Sequence, residues 1–369
     1  MNSSTMGERS NIADMLYGSY IRYDRMYEMT KFAFYGKTDS ESINVFVDCY
    51  SLLKTLFKRG LNFQVDDSCV IASCIINLAI HIRAYFESRH HVASKVYIIY
   101  GGARPREAFV NYPYYNQNNI LMEDSNFFLQ DLIRDNLNVI AVLCPYLYDI
   151  FFLADYENEF MTIASTIIDM DQKNGNKAPN IIYSKDDMSY QLVAFKPYTF
   201  LYRPKKKLNM DNSWVVTKST LYDAYRYGEL GLTTQLDTTL SVELFSMYLA
   251  IAGVRSRSLN SLKNANSAIK ILEAAVNATN IINGYNHTVF TSNPNPFELI
   301  ASTTKKIDPI LVTNRFGAID LEYQSMLYAA SPRALDLQGP AFTNLYNPDE
   351  VRNINNVYFQ KYPLDLNRV

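Results

Sequence analysis

Carboxylates gather at three points along the chain. Asp48 ends an apolar run, Glu157 and Glu159 open an amphipathic segment, and Asp186 with Asp187 sits in the turn of "IIYSKDDMSYQLVAF". Oxygen-only donor sets of this kind suit Mg²⁺ or Mn²⁺, hard cations that favour carboxylate and water ligands. A parallel α/β sheet collects its chemistry at the carboxyl ends of its strands, where such groups converge. Each carboxylate also has a plain structural use. Asp48 and Asp186 can cap helices, and Glu157 and Glu159 suit a first helical turn, where the dipole favours negative charge. At the level of single residues both uses stay open.

The elements that would position these groups follow from hydrophobic patterning. "INVFVDCYSLLKTLF" reads as a buried strand ending at Asp48 and running into a helix. "DSCVIASCIINLAIHIRAYFES" has apolar residues at helical spacing, with Asp66 or Asp67 placed to cap it. "KVYIIYGG" is expected as the second strand, "NVIAVLCP" as the third and "NIIYSKDD" as the fourth. "YENEFMTIASTIIDMDQKNG" reads as a helix starting near Glu157 and stopped at Asn174-Gly175. Strands that are apolar without alternation, separated by helices, imply a mostly parallel sheet covered on both faces. "FKPYTFLYRPKKKLNMDNSWVVT" then reads as a hairpin with a basic turn. The expected organisation is an arm over 1–42, an α/β domain over 43–217, a helical region over 218–290, and an extension over 291–369 packed on the core.

Bulk properties narrow the class. With 369 residues, 48% hydrophobic and 20% charged, the chain can build a full core and is not disordered. A net charge of −2 offers no global positive field, so a nucleic-acid partner would be held by local basic patches. Cys49, Cys69, Cys74 and Cys144 lie in apolar surroundings without metal-ligand spacing, as expected of buried thiols in a reducing compartment. The leading residues have no signal-peptide core, and no run reaches the roughly 18–20 apolar residues of a membrane span. A soluble, cytoplasmic protein without a membrane partner is expected.

Several motifs together resemble the flap endonuclease and 5′-exonuclease family, including its phage ribonuclease H branch, built on a PIN-like fold. "VFVDCYSLLKTLF" resembles the family's opening strand, Val-Asp-Gly, and the helix after it. "VYIIYGGARPREAFVNYPYYNQNN" is similar to the second strand, its Asp-Gly turn and an Arg…Tyr-Pro-x-Tyr-Lys-x-x-Arg run. "YENEFMTIAST" resembles Tyr-Glu-Ala-Asp-Asp-x-Ile-Ala-Thr, and "IIYSKDDMSYQLVAF" resembles Ile-x-Ser-x-Asp-x-Asp-x-x-Gln-Leu, the best match of the set. "YLAIAGVRSRSLNSLKNANSAIKILEAA" is similar to the Gly-Asp-x-x-Asp-Asn loop and the helix–three-turn–helix that grips duplex DNA. The resemblance runs from about residue 43 to about residue 275.

The resemblance implies a PIN/FEN-like sheet flanked by helices, followed by a helix–three-turn–helix-like region. It also implies two divalent ions held about 3.5–4 Å apart, one generating the attacking hydroxide and one stabilising the leaving oxygen. Carried over position by position, Asp48, Glu157, Glu159 and Asp186 keep family carboxylates as metal ligands. Gly101, Phe160, Met188, Val254 and Arg257 stand where the family has aspartates. The second metal's usual ligands fall at Met188, Val254 and Arg257, so the expected complement is one Mg²⁺ or Mn²⁺, or none. Asp186 is expected at a metal-ligand position and Asp187 as the helix cap.

The basic residues suggest nucleic-acid contact. Arg104 and Arg106 flank the glycine turn, whereas the family's Lys and Arg further along fall at Asn116 and Asn119. Arg203, Lys205, Lys206 and Lys207 form the hairpin run, usable as a backbone contact or simply as a solvated tip. Arg255, Arg257, Lys263 and Lys270 make a basic stretch around the lost ligands. Arg257 has two readings: it binds a phosphate directly with bidentate hydrogen bonds, or it pairs with Asp186 or Glu159.

Other chemistries lack their residues. His81, His90, His91 and His287 show no zinc spacing, and no Walker Gly-Lys-Ser/Thr or Gly-x-Ser-x-Gly elbow occurs. The leading expectation is a catalytically degenerate 5′-nuclease-like protein of phage or viral style. It would bind nucleic acid, DNA before RNA, or serve a structural role beside other phage or replication proteins. The alternatives are an active metal-dependent 5′-3′ exonuclease or flap endonuclease with a reduced site, and a virion or scaffold protein reusing the fold. The many tyrosines, 29 in all, suit such an interface.

Overall fold

The computed structural model describes residues 42–49, 69–90, 93–101, 127–155, 163, 166–167, 170, 178–184, 186–195, 198–203, 214–216, 221–222, 225, 240, 244–257, 259–279, 307–308, 310–319, 348–358 and 364. Strands β1 (Ser42–Asp48), β2 (Ala93–Gly101), β3 (Ile150–Asp155), β4 (Asn180–Tyr183), β5 (Thr199–Arg203) and β6 (Trp214–Val216) form a six-stranded sheet in the order β3-β2-β1-β4-β5-β6. β1 to β5 run parallel and β6 returns antiparallel on the edge. The chain winds outward through β2 and β3, then crosses back to place β4 on the other side of β1. This is the reversal that opens a crevice at the carboxyl ends of β1 and β4.

Both faces of the sheet are covered, which explains why the strands read as unbroken apolar runs. Ile43, Val45 and Val47 of β1, Val96 and Ile98 of β2, and Ile181 and Tyr183 of β4 pack into one core. Helices α1 (Val70–His90) and α2 (Phe127–Leu143) lie on that side. Phe46, Tyr97, Ile99, Ile182 and Leu201 face the other way. There they meet the helical residues Ile163, Ile167 and Met170, α3 (Tyr190–Phe195) and α4 (Phe245–Ala252). α5 (Ala265–Thr279) and α6 (residues 310–319) complete this layer. Phe46, Tyr97 and Phe151 stack across three strands, with successive centroids 5.0 Å apart. α1 is buried nearly all round. Its early N–H at Ala72 is satisfied by the Asn136 side chain of α2 at 2.9 Å. The suggested caps Asp66 and Asp67 lie outside the described residues.

One expected strand is a helix. "NVIAVLCP" completes α2 and passes into a 3₁₀ turn at Cys144–Tyr146. Its β-branched residues favour a strand locally, but the buried positions are Asn136, Ile140 and Leu143, at helical spacing. Ile140 is fully buried while Val142 is 62% exposed, the reverse of what alternation along a strand requires. The third strand is the next segment, "IFFLAD".

Buried residues Ile163, Thr166, Ile167 and Met170 are helical, as the "YENEFMTIASTIIDMDQKNG" pattern requires. The hairpin expected after Phe195 is present as β5 and β6, paired from Leu201–Val216 to Arg203–Trp214. At the C-terminal end, α7 (Pro348–Tyr358) contributes Val351 to the core, and Leu364 is buried there with its N–H on Asn355 Oδ1 at 2.9 Å. None of the four cysteines is in a disulfide. No helix among the described residues is long and apolar enough to cross a membrane.

α4 and α5 form a helical hairpin whose connection is tightly wound. Gly253 ends α4 with φ +87°, donating its N–H to Leu249 O, and Val254 and Leu259 exchange backbone hydrogen bonds at 2.9 and 3.0 Å. A Cβ on Gly253 would meet Leu259 O at 2.6 Å and Ser261 N at 2.7 Å. Only glycine fits, by conformation and by space. Gly253→Ala is therefore expected to destabilise the protein by ~2–4 kcal/mol in urea unfolding. A change within about 0.5 kcal/mol would show that the turn yields freely.

Candidate functional site

The register of the sheet brings the first and last acidic motifs together. Val47 of β1 lies opposite Tyr183 of β4, so Asp48 and Ser184 are the next neighbours along the two strands. Val47 and Tyr183 point into the α1–α2 core, and period-2 alternation turns Asp48 and Ser184 toward the face that carries α3, α4 and α5. Ser184 donates to Asp48 Oδ2 at 2.5 Å, and both side chains are buried. The same Ser184 oxygen accepts from the Asp186 N–H at 3.0 Å and from the Ser189 hydroxyl at 2.9 Å. One hydroxyl thus links the β1 carboxylate to the turn after β4.

Asp186 is the cap of that turn. Its Oδ1 accepts from Met188 N at 3.0 Å at the start of the 3₁₀ segment Asp187–Ser189, which leads into α3. The cap expected at Asp187 is therefore Asp186: its extended backbone (ψ 129°) points the carboxylate at the turn's N–H groups, whereas Asp187 already belongs to the turn. Met188 is fully buried in the core beside α4. Gln191 donates to the Met188 sulfur at 3.5 Å and accepts from the Ser246 hydroxyl at 2.6 Å, joining α3 to α4.

The other oxygen of Asp186 meets Arg257, from the 3₁₀ turn Arg255–Arg257 between α4 and α5. Arg257 NH2 lies 3.0 Å from Asp186 Oδ2, with 6% and 19% of the two side chains exposed. Of the two readings of Arg257, the structure has the ion pair with Asp186. The guanidinium is buried against a carboxylate and not presented to solvent. Burial alone would push the Asp186 carboxyl up. The Arg257 charge, the Ser256 hydroxyl, the Met188 N–H and the Arg257 hydrogen bond outweigh it and hold the group below its ordinary 3.8.

Of the remaining residues expected at the site, Gly101 ends β2 and is paired with Asp155, the last residue of β3. Val254 is fully buried and closed into the hairpin turn. Arg255 is exposed on the same turn as Arg257, Lys263 is half-buried just before α5, and Lys270 is exposed on α5. Arg203 ends β5. Glu157, Glu159, Arg104, Arg106, Lys205, Lys206 and Lys207 lie outside the described residues. Sequence reasoning missed one contributor, Ser184, signalled by a hydroxyl directly after a buried strand.

The described residues of this pocket suit a divalent ion poorly. Among the described residues, no three His, Cys, Asp or Glu side chains come together as a metal site needs. More tellingly, both oxygens of Asp186 are engaged, one by a backbone N–H and one by a fixed cation. Met188 brings a thioether and Val254 a hydrocarbon, neither a ligand for a hard cation.

No protein-family model matches the chain, and no curated protein matches it. Among solved structures, it is similar to the D15 protein of bacteriophage T5 crystallised with metal ions, at 14% identity and a TM-score of 0.47 over 84% of this chain and 98% of that one. A T5 D15 flap endonuclease complexed with DNA and metal ions matches at 16% and 0.46 over 84% and 98%. The T5 5′-exonuclease with bound zinc matches at 14% and 0.47 over 85% and 99%. Identities this low leave activity unaddressed; what the chain can do follows from its own residues.

The depressed carboxyl of Asp186 fixes the sign of a pH effect. Its contribution to stability is complete above the ordinary pKa of 3.8 and is lost as pH falls through the lower folded value. The stability difference between wild type and Asp186→Asn should be constant from neutral pH down to about pH 4.5, then shrink toward pH 2. A difference that already changes between about pH 7 and pH 5 would mean that Asp186 is not held by Arg257.

Proposed function

We propose that this chain is a non-hydrolytic, nucleic-acid-binding member of the 5′-nuclease type, with DNA as its partner in preference to RNA. The observation that carries the reading is Arg257 closed on Asp186 at the carboxyl end of β4, with Met188 buried beside it. Metal-assisted phosphodiester hydrolysis needs anionic oxygens to converge and neutralise divalent charge. In this pocket the charge opposite Asp186 is already supplied by an arginine.

Support for binding comes from the cations that the pocket leaves over. Arg255, Lys263 and Lys270 sit on the α4–α5 hairpin, and Arg203 leads into the basic run Lys205–Lys207. Arg104 and Arg106 would add contacts beyond β2. With a net charge of −2 the grip has to be local, and so steeply dependent on salt. Such a protein would work in the cytoplasm, a host's if the chain is phage-encoded, alongside replication proteins.

A single-turnover assay on flap and nicked DNA with Mg²⁺ or Mn²⁺, run beside anisotropy titrations at several salt concentrations, tests this. The expected result is no cleavage above background, with binding whose salt slope falls by about 1 on Arg255→Ala or Lys263→Ala. Cleavage that Asp186→Ala abolishes, or no binding at low salt, would overturn the reading.

A further inference from the structure

Arg257 and Asp186 are each held in place before they meet. The Arg257 N–H donates to Val254 O at 3.1 Å inside a turn closed by the Val254–Leu259 bridge. Gly253 O accepts from the Tyr225 hydroxyl, and Asn260 O accepts from Arg315 at 2.5 Å, so the loop is braced on both flanks. Asp186 is fixed on its own side by the Ser184 oxygen and by its cap on Met188. Two preorganised partners lose little freedom on pairing, and a buried pair broken on one side leaves an uncompensated charge.

The pair spans two parts of the fold. Asp186 belongs to the turn that leaves the sheet after β4, and Arg257 to the connection of the α4–α5 hairpin. The Ser246–Gln191 hydrogen bond is a second polar link between the hairpin and the same turn region, and it carries no formal charge. We infer that Arg257 is the resident cation of this pocket, tying the turn after β4 to the α4–α5 loop in place of a divalent ion, so that sheet and hairpin keep their arrangement at any metal concentration. Arg257 is a positioning residue here: it acts on the hairpin through Asp186. The inference deepens the non-hydrolytic reading of the same pocket and rests on it for its meaning, but not for its test.

The test is thermal unfolding of the full chain in EDTA and in millimolar Mn²⁺. The wild-type midpoint should be the same in both. Arg257→Gln should lower it by roughly 5 °C, and Arg257→Lys should recover part of that loss. Arg257→Glu should be the least stable in EDTA and the only variant of the three that Mn²⁺ stabilises, because the introduced carboxylate faces Asp186 and the ion binds the folded state alone. Should Arg257→Glu fail to fold, the Gln and Lys variants decide the matter. A wild-type midpoint that rises with Mn²⁺ and loses that rise on Asp186→Asn would overturn the inference, and so would an Arg257→Gln variant as stable as wild type. DNA cleavage by the wild type would defeat the functional reading yet leave these midpoints, and the tie, untouched.

Discussion

A guanidinium and a carboxylate, 3.0 Å apart and largely out of water, set the character of this pocket. At the effective dielectric of about 20 that suits protein sites, two unit charges at about 4 Å attract by roughly 4 kcal/mol. Desolvation opposes that attraction, and an isolated buried pair can come out near neutral. Here the balance is tipped by geometry: the Asp186 carboxylate also takes the Met188 N–H. The pair is thereby built into the backbone of two turns rather than resting on side chains alone. Removing either partner strands a buried charge, at a cost of about 3–5 kcal/mol.

That interaction organises its surroundings. Ser184 connects it to Asp48, so the carboxylate of β1 and that of the β4 turn belong to one hydrogen-bonded unit. Met188, two residues past Asp186, faces the core and packs with α3 and α4. Val254 does likewise within the hairpin turn. Hydrophobic packing and an internal cation thus occupy the space beside Asp186. Arg255 stays exposed on the turn that buries Arg257.

Much of this was legible in the sequence, for reasons that differ by residue. β1, β2 and β4 announced themselves because buried parallel strands are continuous apolar runs, and α1 because its apolar residues recur at helical spacing over a long stretch. β3 was missed because "NVIAVLCP" and "IFFLAD" are both short apolar runs, and only the burial of Ile140 against the exposure of Val142 separates helix from strand. Asp48 and Asp186 were found from strand ends, and their proximity follows once β1 and β4 are known to be neighbours. The choice between phosphate and carboxylate as the partner of Arg257 was not readable. It depends on where a turn some seventy residues further along the chain folds back, which local pattern does not encode. Asp186 as cap in place of Asp187 is a matter of one backbone dihedral, finer than any spacing argument.

The central claim is that an arginine, not an ion, neutralises Asp186. Anomalous diffraction from crystals soaked in Mn²⁺ reads that directly. The account predicts no anomalous peak within coordination distance of the Asp186 carboxylate, with Arg257 still paired to it. A Mn²⁺ peak bonded to Asp186, with the guanidinium swung away, would contradict it.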